Sequence, residues 1–153
     1  MIRQLPVAVA SILFLLLLPS VSAAQAQYPV ELLHSGSDQV GTLYAFELRE
    51  AIRGSNGMRL VTEGLDPRIK VSVVTIDAGS PRDRGISSAI AVTILYDSLE
   101  VPLGGAHLTT VVQVCGRDRA EFCARSLLST IDSEVSRLQQ RSQTLWKTLF
   151  RSR

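Results

Sequence analysis

Residues 86–96 read Ile86-Ser87-Ser88-Ala89-Ile90-Ala91-Val92-Thr93-Ile94-Leu95-Tyr96. Successive strand side chains point to opposite faces, so Ile90, Val92, Ile94 and Tyr96 line one side and Ala89, Ala91, Thr93 and Leu95 the other. This is the clearest strand in the chain. An exposed polar loop, Gly79-Ser80-Pro81-Arg82-Asp83-Arg84-Gly85, precedes it, and a second loop, Asp97 to Ala106 with Pro102, Gly104 and Gly105, follows it. Beyond these loops lie two more β segments. His107 to Cys115 is rich in β-branched residues. Arg68 to Asp77 alternates through Ile69, Val71 and Val73, then shifts phase to Val74 and Ile76, which predicts a bulge or a strand buried on both faces. Three long consecutive strands joined by short loops favour an antiparallel meander.

Working outward, Tyr28 to Leu33 suits a first strand, placed at a sheet edge by Pro29. His34-Ser35-Gly36-Ser37-Asp38 is a turn in which Ser37 or Asp38 caps a following helix. That helix is predicted from Gln39 to Arg53, with Val40, Tyr44, Leu48, Ala51 and Ile52 on its apolar face. Gly54 and Ser55-Asn56-Gly57 end it. Met58 to Val61 is a short strand candidate before a turn at residues 62–67. Asp118 is predicted to cap a long final helix whose stripe runs through Leu127, Leu128, Ile131, Val135 and Leu138. The same phase continues to Leu145 and Leu149, with Trp146 alongside. The sum is an α+β fold of two layers: a mainly antiparallel sheet of about four strands, in β-α-β-β-β-α order, with two helices packed on one face.

The first residues have the three parts of a secretory signal: Arg3, an apolar run from Val7 to Leu18, and small residues after Pro19. The run is shorter than the roughly 20 residues a bilayer span needs. Residues 1–26 are therefore read as a signal cleaved after Ala26, with Ala23 and Ala24 as competing positions. Residues 27–141 are read as a single α+β domain, and residues 142–153 as a basic amphipathic helix end or tail. This places the processed protein outside the cytoplasm, periplasmic or secreted.

The chain has 16 basic and 14 acidic residues. After Glu134 only basic ones occur, Arg137, Arg141, Lys147, Arg151 and Arg153, about +5 for the tail against about −4 for the body without its signal. An acidic body is not the footprint of a nucleic-acid domain, which carries its positive charge on the folded face.

Cys115 and Cys123 are the only cysteines. In an oxidising compartment two cysteines this close are expected to pair as a structural staple. The stretch from Gly36 to Thr42 imitates a phosphate loop but lacks the lysine after its second glycine, so it reads as a helix cap with a small residue at a close contact. His34 and His107 are the only histidines. Nucleophilic catalysis needs one of them beside a hydroxyl with a carboxylate behind it. Glu31, Glu63, Asp77, Asp97 and Glu100 are the carboxylates that would have to meet for glycosidase-type chemistry, and their spacing does not favour it. No metal-ligand run and no cofactor motif is present, so no metal, cofactor or catalytic residue is assigned.

The strongest interaction segment is terminal. Leu145, Trp146, Leu149 and Phe150 interleave with Lys147 and Arg151, a pattern that suits a partner's groove or an anionic membrane surface. The expected function is that of a non-catalytic binding or assembly-accessory protein, exported and acting through a sheet edge, a loop or this helix end on an envelope protein or the membrane. The alternative is a small secreted hydrolase with an unrecognised carboxylate- or histidine-based site.

Overall fold

The computed structural model describes residues 27–62, 67–99 and 105–150, the last eight of them as helix backbone. The export signal expected over residues 1–26, Glu63, Glu100, Arg151 and the side chains of Leu145, Trp146, Lys147, Leu149 and Phe150 lie outside the described residues. The elements run β1 (Tyr28–Ser35), α1 (Gln39–Arg53), β2 (Met58–Val61), β3 (Arg68–Asp77), β4 (Ser87–Asp97), β5 (Ala106–Gly116), a single 3-10 turn (Arg117–Arg119) and α2 (Ala120–Phe150). The order is β-α-β-β-β-β-α, one strand more than the predicted β-α-β-β-β-α, the addition being the short candidate Met58–Val61.

The sheet differs from the expectation in two respects. It has five strands, not four, in the order β2-β1-β3-β4-β5, and it is mixed. β3, β4 and β5 form the expected antiparallel meander, but β1 lies between β2 and β3 and is parallel to both. β1 is thus not an edge strand. Pro29 is accommodated because it sits at the second residue of the strand, where a missing N–H costs little. The segment β1-α1-β2 is a crossover unit joining neighbouring parallel strands.

Both helices cover one face. α1 lies over β1 to β4, and α2 packs on β5 and against α1. Tyr44, Leu48 and Ile52 of α1 and Leu127 and Ile131 of α2 meet Val30, Ile69, Val71, Val73, Ile90, Val92 and Ile94 in one core. Buried between the layers, the Tyr44 hydroxyl accepts a hydrogen bond from Gln113 Nε2 at 3.1 Å, which satisfies a polar atom the core would otherwise strand.

Cys115 at the end of β5 and Cys123 in the first turn of α2 are joined by a disulfide, with Cα atoms 6.5 Å apart. Closing so short a loop contributes about 2–3 kcal/mol. The chain between them makes the 3-10 turn, so Asp118 lies within that turn and caps nothing. Asp38, by contrast, caps α1: its Oδ1 accepts from Gly41 N–H at 2.6 Å. No helix among the described residues is long and apolar enough to cross a membrane.

Candidate functional site

Three features of the described residues bear on function: a polar cluster at the start of α1, a cleft beside it, and the face of the sheet that no helix covers.

The polar cluster forms because two glycines let α1 and the β1–α1 loop close on Thr75. Gly36 has φ +146°, and a Cβ there would stand 2.5 Å from the Thr75 carbonyl oxygen; one at Gly41 would overlap the Thr75 side chain. His34 Nε2 lies 3.0 Å from the Thr75 hydroxyl. The second Asp38 oxygen, Oδ2, is buried beside the Thr75 and Ser88 hydroxyls without a well-aligned hydrogen bond of its own. Burial pushes the Asp38 carboxyl up, but these hydroxyls and the Gly41 N–H outweigh it and hold the group below its ordinary value. Burial, then Arg49, lower the His34 imidazole, with Asp38 offsetting part of the effect.

A histidine, a hydroxyl and a carboxylate thus come together, as a hydrolase would require. The arrangement does not suit nucleophilic attack. Thr75 is 3% exposed and walled by the backbone of Gly36 and Gly41, so no substrate carbonyl reaches its oxygen. Asp38 sits behind the hydroxyl instead of orienting the imidazole, the reverse of the working order. The cluster ties the loop to β3. The start of α1 is likewise no anion site, since the Asp38 carboxylate occupies it.

The tie carries a pH signature. Because the folded protein resists protonation of His34, the unfolded chain takes up the proton first as pH falls. Stability is therefore expected to be intact above 6.5, the imidazole's ordinary value, and to decline as pH drops below it. Urea titrations between pH 7.5 and 5 check this: the wild-type midpoint should fall on acidification, and His34→Gln should flatten that slope.

The cleft, of about 770 Å³, opens between the β1–α1 loop and the β3–β4 loop, with Val74 and Ile76 among its lining and Arg84 beside them. Its second carboxylate, Asp77, spends both oxygens on backbone N–H groups, Gly79 at 2.8 Å and Gly85 at 2.9 Å. The cleft is mixed in character: Val74, Ile76 and Pro81 supply apolar surface, and Ser35, Ser37 and Arg84 supply polar groups.

Its apolar part belongs to a larger surface. On the face opposite the helices, Leu33 (42% exposed), Val74 (49%), Ile76 (65%), Val114 (68%) and Val112 (76%) stand open to solvent. Strand register makes them neighbours: Val74 is beside Ala91 and Ala91 beside Val112, while Ile76 is beside Ala89 and Ala89 beside Val114. The phase shift at Val74 is explained here. β3 has neither a bulge nor two buried faces; its pairing with β4 is unbroken, and Val74 and Ile76 point to the bare side. The irregularity lies instead between β4 and β5, at Ile94 and Leu95.

At the far end of this face Arg68 reaches Glu31 Oε2 at 2.8 Å and Asp97 Oδ2 at 2.8 Å. Two of the five carboxylates considered above thus share one cation and are not arranged for acid–base chemistry, and Asp77 is at the opposite strand end. His107 contacts Thr110 on the surface, at 2.9 Å. No group of three or more metal-ligating side chains occurs among the described residues. The bare apolar face and the Thr75 cluster were both missed by sequence reasoning. The signal for the face was present in the pair Val112 and Val114, which stand on the side of β5 opposite Gln113 and Cys115.

No protein-family model matches the chain, and no curated protein shows significant sequence similarity to it.

Proposed function

We propose that this is an exported, non-catalytic binding or assembly-accessory protein of the cell envelope, and that the helix-free face of its sheet is the docking surface. The observation that carries the reading is the run of exposed aliphatic side chains from Leu33 through Val74 and Ile76 to Val114. Contiguous exposed apolar surface of this kind marks interaction sites. The cleft at its end, where Val74 and Ile76 meet Ser35, Ser37 and Arg84, offers a seat for an anchoring side chain, and the Glu31–Arg68–Asp97 network supplies a polar border. Oxidising surroundings are supported by the Cys115–Cys123 bond. The export signal and the periplasmic or secreted location are part of this proposal.

The helix end is proposed as a second contact, with an envelope protein or the membrane surface, through Leu145, Trp146, Lys147, Leu149, Phe150 and Arg151. Support comes from where α2 leaves its own domain: Val135 is buried and Leu138 half-buried, but residues 139–142 are all exposed. A 31-residue helix is about 46 Å long, against about 36 Å for an 11-residue strand.

One observation favours the alternative of a secreted hydrolase, the contact of His34 with a hydroxyl. The burial of Thr75 makes it the weaker reading.

Photo-crosslinking in the native envelope tests the proposal. A crosslinker at Val74 or Ile76 is expected to capture a discrete partner, whereas one at Phe46, exposed on the helix side, is not. Val74→Glu should reduce that capture at least about tenfold, the effect of placing a charge in an apolar contact. Truncation after Arg141 should leave the fold intact and weaken envelope association. Equal labelling from both faces would sink the docking assignment.

A further inference from the structure

We infer that the free edge of β5 is a self-pairing seam, through which two copies of the chain join as an antiparallel two-fold dimer with one continuous sheet. The inference concerns the outer edge of β5, whose Val112 and Val114 also border the docking face, and it stands or falls independently of partner capture at Val74 and Ile76.

β5 is the last strand of the sheet, so among the described residues one row of its N–H and C=O groups has no partner strand. Edges of this length are normally protected by lysine, proline, shortness or cover. Over its 11 residues β5 has no Lys, Arg, Asp, Glu or Pro. Its irregularity, where Leu95 pairs with His107 and Ile94 with Thr109, is confined to the N-terminal end, leaving Thr109 to Cys115 regular. The disulfide fixes the other end of that stretch.

The stretch is complementary to itself. In an antiparallel pairing centred on Val112, Val112 faces its own copy, Val111 faces Gln113, Thr110 faces Val114 and Thr109 faces Cys115. Directly opposed residues share a face, so this register keeps core-side residues opposite core-side residues and bare-side opposite bare-side. No like charges meet, which is the penalty that most often prevents a strand from pairing with its own copy. The exposed Val112 and Val114 would be covered by Val112 and Thr110 of the second copy.

Growth stops at two copies. The opposite edge, β2, has only four residues, and exposed Arg59 is among them. One long neutral edge and one short charged edge give a closed pair, not a fibre. A two-fold axis normal to the sheet puts both bare faces on the same side, so the Leu33, Val74 and Ile76 surfaces of the two copies face the same way.

The test uses the full chain, exported and processed by its host, in sedimentation equilibrium. The wild type is expected to be a monomer–dimer system, with amide exchange at Thr109–Cys115 slowing as concentration rises. Val112→Lys brings two ammonium groups together on the axis and removes two covered valines; it should weaken the dimer on the order of 100-fold. Val74→Lys, on the same face but an internal strand, should leave the dimer unchanged. Circular dichroism checks that both variants are folded. A wild type that is monomeric at every concentration overturns the proposal, as does a dimer indifferent to Val112→Lys but lost on truncation after Arg141 or by Val74→Lys.

Discussion

Gly41→Ala is expected to destabilise the domain by about 3 kcal/mol, although helix propensity alone assigns the same change a gain of about 1 kcal/mol. The two effects have opposite sign, so the outcome decides which rules at this position. Gly41 is buried in the first turn of α1, where the helix presses on β3. An added Cβ would overlap the Thr75 side chain and stand 2.5 Å from Asp38 Oδ2. Neither neighbour yields easily: Asp38 is held by its capping bond, and Thr75 is fixed by its pairing with Ile90 of β4, one residue beyond the last β3 position paired with β1. Either α1 must tilt away from the sheet or the cap must break. Chemical denaturation should show a lower midpoint with an unchanged slope, since the same surface is exposed on unfolding. Adding Thr75→Ala, which removes the hydroxyl, should recover part of the loss. A Gly41→Ala protein as stable as the wild type would mean that α1 does not approach β3 as closely as described, and the wall of the cleft would go with it.

What the sequence disclosed, and what it hid, follows from the range of the interactions involved. The span of α1 was legible, because a capping residue at Ser37 or Asp38, the apolar spacing and Gly54 are local signals; its buried face differs in taking Ala45 fully and Ala51 partly. The disulfide was legible because loop closure over so few residues leaves little choice. β4 was legible because one of its faces packs on helices and alternation records that. Pairing direction was not, since nothing in Tyr28–Ser35 states that both its neighbours run parallel to it. The bare face was hidden for a related reason: Val74 and Ile76 are as apolar as Val71 and Val73, and periodicity cannot say whether a second layer covers them. The shift in phase was real, but its cause was a missing layer and not a bulge. Thr75 was invisible as a cluster centre because its partners, His34 at the end of β1 and Asp38 in the loop after it, lie some forty residues earlier and are brought close only by the parallel pairing of β1 with β3.

Arg68→Met is expected to cost about 3 kcal/mol, the lower end of what breaking a buried ion pair costs. The reason is the carboxylate it leaves behind. Glu31 is almost fully buried on the bare side of β1, and Arg68 reaches it from the first residue of β3 while also holding Asp97 at the end of β4. Removing the guanidinium strands Glu31 in a site that has already lost its water, and sets Asp97 free nearby with the same sign. The lower end applies because the Arg68 and Asp97 side chains each keep about a fifth of their surface in solvent, where screening reduces the attraction. The penalty belongs to the unpaired charge and not to lost attraction alone, so a second substitution distinguishes the two. Glu31→Leu combined with Arg68→Met should restore most of the stability, because an apolar pair of similar bulk avoids both desolvation costs. If the double variant is no more stable than Arg68→Met alone, the network acts through geometry, by clamping the ends of β1, β3 and β4. If Arg68→Met costs less than about 1 kcal/mol, the pair is solvated like an ordinary surface bridge. The polar border assigned to the docking face would then be loose, and the face would end at Leu33 and Val74 with no fixed charge beyond it.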